Sequence, residues 1–94
     1  MIQNKKSEEL LSFIQLANEE RELMEEVRRF EMSIRILIEE AKEAEDRKLI
    51  QWAKVLYKEI ERYQIGKIKT ELEINKLRIK MLKFQLKEWK SIRK

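Results

Sequence analysis

Residues 61–73 read ERYQIGKIKTELE, and the single glycine of a proline-free, 94-residue chain stands in their middle. Whether the backbone stops being helical at Gly66 decides how many helices the chain makes. Upstream, Leu49, Trp52, Ala53, Leu56, Ile60 and Tyr63 mark one face of a helix. Gly66 then falls where a left-handed C-terminal cap is expected, because a residue without Cβ takes positive φ at no steric cost. Thr70-x-x-Glu73 has the form of a capping box, in which a hydroxyl accepts from an orphan amide and a carboxylate answers it. This spacing predicts one helix ending near Ile65 and another beginning near Ile68.

Working outward from there, the N-terminal half carries a long apolar seam. Leu16, Leu23, Phe30, Leu37 and Ala44 fall seven apart, and Phe13, Val27, Ile34 and Ala41 fill the alternate row, interrupted by Glu20. That is a heptad pattern with Phe13 at a and Leu16 at d, sustained for more than four heptads. Ser7 and Asn18, each followed by glutamates, both have the form of N-caps. The seam dwindles through AKEAEDRK, residues 41–48, and Asp46 is placed to cap the next helix. The expected fold is all-α. It is an elongated three-helix bundle, or a long helical hairpin with coiled-coil-like heptad packing, in one domain with helices over about 7/18–44, 47–65 and 68–93.

One stretch is written ambiguously. IKTELEI and LRIKMLK, on either side of Asn75 and Lys76, alternate apolar and polar with period two, as a β-hairpin would. The helical reading prevails because Asn-Lys is a poorer two-residue turn than Asn-Gly, because Leu, Met, Lys, Gln and Glu are strong helix formers, and because helical rows continue to Trp89.

Composition narrows the class. Charged and hydrophobic residues each make up 43% of the chain, which separates it from disordered sequences that cannot bury enough apolar surface to offset ordering entropy. With no cysteine, neither a disulfide scaffold nor a cysteine-ligated metal site can be built, and a cytoplasmic setting is expected. The N-terminal twenty residues lack the uninterrupted apolar core of a signal peptide, and no stretch has the ~20 apolar residues of a membrane span. Charge is uneven. Residues 1–47 hold 8 basic and 13 acidic side chains, whereas residues 48–94 hold 14 and 5.

The last helix presents two apolar stripes. Ile68, Leu72, Asn75, Ile79, Leu82, Leu86 and Trp89 form one; Leu77, Met81 and Phe84, with Ile74 and Ile92 at the edge, form another nearly opposite. One should pack within the chain and the other against a second molecule. Ile74, Leu77, Met81, Phe84 and Ile92 are the candidate interaction face. Between the stripes runs a basic row, Lys69, Lys76, Lys80, Lys83, Lys87, Lys90, Arg93 and Lys94. In a bundle whose first and third helices are parallel, Lys76, Lys83 and Lys90 would face Glu19, Glu26 and Glu40, while Lys80, Lys87 and Lys94 would find no acid.

Without histidine or cysteine the usual nucleophile–base pairs, the zinc sites and the helical di-iron motif are out of reach, and one glycine leaves no phosphate loop. Glutamates 19, 20 and 22, and 39, 40 and 43, read as solvated faces rather than cation sites. Neither a cofactor nor a small-molecule substrate is implied. The sequence points to a non-enzymatic assembly or adaptor protein acting through helix packing, as a homo-oligomer, dimer favoured, or with another protein. The alternative is sequence-independent binding of nucleic-acid phosphates by the lysine row. A membrane surface, with Phe84 and Trp89 inserted, fits least well, because aromatic and lysine rows are not cleanly opposed.

Overall fold

The computed structural model describes the backbone of residues 2–93 and the side-chain surroundings of residues 8–90. It holds two helices, α1 (Ile2–Asp46) and α2 (Ile50–Arg93), folded against each other into a hairpin of 70 × 19 × 13 Å. Every described residue outside the short turn is helical, including the period-two stretch around Asn75.

The expected break at Gly66 is absent, so there are two helices rather than three. Gly66 does not take positive φ; it lies inside α2, facing α1. A Cβ built there would stand 2.9 Å from Cζ and 3.0 Å from Cε1 of Phe30. The residue provides room for a ring, not freedom for a turn. Thr70 likewise caps nothing. Its Oγ1 donates to the Gly66 carbonyl oxygen one turn earlier, at 3.0 Å, which satisfies a buried hydroxyl inside a continuing helix. Ser7 and Asn18 also lie within a helix rather than at its start, and Asn18 Oδ1 accepts from an Arg21 guanidinium nitrogen at 3.1 Å.

The chain reverses at Arg47-Lys48-Leu49. Lys48 adopts the left-handed conformation, φ 61°. The Leu49 amide donates to the Ala44 carbonyl at 2.8 Å and the Lys48 amide to that of Glu45 at 2.9 Å, the paired bonds of a Schellman motif. Asp46 is the last residue of α1, and Leu49, whose carbonyl accepts from the Ala53 amide at 2.9 Å, sits at the N-cap just before α2.

Burial follows the seam read in α1. Phe13, Leu16, Glu20, Leu23, Val27, Phe30, Ile34 and Leu37 are half-buried, and Ala41 and Ala44 are buried. The facing row of α2 is Ala53, Leu56, Ile60, Tyr63, Lys67, Thr70, Ile74, Leu77, Met81, Phe84 and Glu88, spaced three or four apart. The best-buried core lies near the turn, where Ala41, Ala44 and Ala53 let the helices approach and Leu56 and Ile60 fill the gap. Towards the open end, aromatic pairs take over. Phe30 meets Tyr63 with centroids 6.0 Å apart, and Phe13 meets Phe84 at 5.3 Å.

Candidate interaction surface

Because α2 runs unbroken through Gly66, its phase is set from the turn onwards. Ala53, Leu56 and Ile60 face α1, and steps of three and four carry that face to Ile74, Leu77, Met81 and Phe84. The two apolar stripes therefore exchange the roles expected of them. Ile74 and Leu77 are buried and Met81 and Phe84 half-buried inside the hairpin, so this face is spent on the chain's own core; the side chain of Ile92 lies outside the described residues. Phe84, an aromatic that the membrane reading would insert, is half-buried against Phe13.

The outward stripe is the other one, and it begins a turn earlier than the sequence suggests. Ile65, Ile68, Leu72, Ile79, Leu82, Leu86 and Trp89 are all 48–57% exposed, and Asn75 completes the series. The spacing is again three and four, and at about 100° per residue the stripe lies roughly 150° round the helix from the seam. It runs for about 36 Å at 1.5 Å per residue. Sequence reasoning misses Ile65 because a break at Gly66 puts it at the end of a separate helix.

The lysines occupy one flank. Lys69, Lys76, Lys83 and Lys90 border the stripe, while Lys80 and Lys87 lie nearer the seam; all six are exposed. The side chain of Arg93, and Lys94, lie outside the described residues. The pairing expected from parallel helices does not occur, since α2 is antiparallel to α1 throughout. Lys76 Nζ pairs with Glu73 of its own helix at 3.2 Å, whereas Lys87 does reach an acid, Glu9, at 3.9 Å. Among the described residues, Lys69, Lys80, Lys83 and Lys90 have no carboxylate within ion-pair distance. On the stripe's other flank stand Gln64, Glu71, Arg78 and Gln85, and Arg78 is turned towards α1, its Nε 3.7 Å from Glu20. That contact also accounts for the acid in the α1 seam. Lys67, in the α2 seam, is matched by Glu31 at 3.4 Å.

Among the described residues no cluster of acidic side chains could hold a metal ion, no buried side-chain nitrogen or oxygen lacks a hydrogen-bond partner, and no helix is long and apolar enough to cross a membrane. One phenol is perturbed. Tyr57 donates to Glu45 Oε1 at 2.5 Å, and that bond, with partial desolvation and the carboxylate's charge, holds the tyrosine above its ordinary pKa. The contact ties the helices beside the turn, away from the stripe. No protein-family model, no curated protein and no solved structure matches the chain.

Proposed function

We propose that this chain is a non-enzymatic assembly protein whose working part is the outer face of α2. In this reading the inner seam packs as a heptad coiled coil to build the hairpin, and the outer stripe docks on another helix, with the lysine flank open to an acidic partner. The observation that carries it is the stripe itself: seven large apolar side chains in a row, each about half exposed, where a monomer surface would scatter them. Polar replacement of Leu72, Ile79 and Leu82 by Gln tests it, because these residues contribute little to the hairpin's own core. Sedimentation equilibrium, chosen because the molecule is elongated, should show the wild type heavier than its 11.6 kDa monomer and the triple variant at monomer mass with unchanged helix content. A variant that unfolds, or one that associates like the wild type, refutes the reading.

A second reading is favoured by one specific observation, the unmatched Lys69, Lys80, Lys83 and Lys90 along one flank. Lysines 69 to 90 span about 32 Å of helix, enough to follow a phosphate backbone without reading bases. Binding to duplex DNA at low salt, with a log–log salt slope of about −3.6 for four contacts, would support it; absence of binding there removes it.

A further inference from the structure

Resting on the assembly reading, we infer that the occupant of the outer α2 stripe is a second copy of this chain, with its α2 parallel and in register so that Asn75 meets the partner's Asn75. Three observations select this arrangement. The first is size. Seven half-exposed apolar side chains present on the order of 700 Å² per copy, close to the ~800 Å² a side of a standard stable interface and beyond the ~300–600 Å² patch usual for a monomer. A second copy offers a stripe of the same length and spacing, so the whole row is covered at once.

The second is Asn75, the one polar residue in the stripe. Parallel pairing in register sets two carboxamides against each other, where each donates to and accepts from the other. Antiparallel pairing with full overlap sets Asn75 against the partner's Ile79, which leaves a carboxamide desolvated without a partner. A single buried Asn at an a position is a known device for fixing register and orientation, and Asn75 would play that part from a d position of the stripe.

The third is charge. Antiparallel pairing would bring Lys69 and Lys76 against the partner's Lys90 and Lys83, like against like along one edge. Parallel pairing instead places the lysine flank beside the partner's Gln64, Glu71, Arg78 and Gln85, matching Glu71 with Lys76. The one unfavourable meeting, Arg78 with Lys83, is softened because Arg78 is already drawn to Glu20. The assembled molecule is a nearly flat layer in the order α1, α2, partner α2, partner α1.

The chain has no cysteine, so single-cysteine variants report geometry cleanly. Under mild oxidation Ile68→Cys should link to itself, and a mixture of Ile68→Cys with Leu86→Cys should give no 68–86 product. Asn75→Leu should relax the orientation choice, so that the 68–86 product appears beside the 68–68 product that the charge pattern still favours. A wild-type dimer that yields only the 68–86 product overturns the parallel arrangement and leaves the assembly reading standing. An Asn75→Leu protein that still links only 68 to 68 overturns the role given to Asn75. A monomer that binds a synthetic amphipathic peptide with glutamate-flanked leucines replaces the second copy by a foreign acidic helix, again sparing the reading. A monomer that binds neither ends both.

Discussion

At Gly66 a glycine is retained where helix propensity argues against it, at a cost of about 1 kcal/mol relative to alanine. Its neighbour supplies the reason: the Phe30 ring lies where a Cβ would be, and the same ring stacks at an angle on Tyr63. Alanine at 66 would gain propensity but push the ring from its seat. Gly66→Ala in the wild type should therefore fall short of the full gain, whereas on a Phe30→Leu background it should recover it. A double-mutant cycle in urea is expected to give a coupling of about 1 kcal/mol between the two sites. Equal increments in both backgrounds would mean that the ring is not what keeps glycine there.

At the level of elements, the turn carries a visible imperfection. Lys48 occupies the left-handed position that closes α1, a conformation costing a side chain about 1–2 kcal/mol that glycine avoids, partly offset by the extra freedom glycine has when unfolded. Lys48→Gly should thus stabilise the hairpin by about 0.5–1 kcal/mol, a rise of a few degrees in Tm, and Lys48→Val should lower it. The same two positions, 48 and 66, explain how much of the fold is legible in the sequence. The α1 seam is largely legible because its period is sustained and its members are buried or half-buried, although Ile38, outside both rows, also packs on the core. The number of helices cannot, because a glycine serves either positive φ or close approach, and the sequence around 66 is compatible with both; the actual turn is built by a lysine, which carries no such signal. A break placed at Gly66 loses the phase of α2, and with it which stripe faces inwards. Most apolar members of both stripes beyond Gly66 are legible, but Ile65 is not, and which stripe faces inwards depends on continuity across one residue.

For the molecule as a whole, the question is whether one seam can hold a hairpin 70 Å long. Among the described residues no large side chain is fully buried, and the interhelical ion pairs Glu9–Lys87, Glu20–Arg78 and Glu31–Lys67 involve exposed or half-exposed side chains, each worth roughly 0–1 kcal/mol. A small domain with so thin a core gains from any partner that binds only the folded form. If α2 packs on a second copy, folding and association are linked, and stability depends on protein concentration. Hundredfold dilution should then cost about 2.7 kcal/mol and lower Tm by roughly 5–10 °C for a two-chain unit of this size. The Leu72→Gln, Ile79→Gln, Leu82→Gln variant should melt lower than the wild type and at the same temperature at every concentration. Circular dichroism melts of both proteins across that dilution series make the comparison. A wild-type midpoint that stays fixed would show the single seam to be sufficient, with the outer stripe adding nothing to the fold.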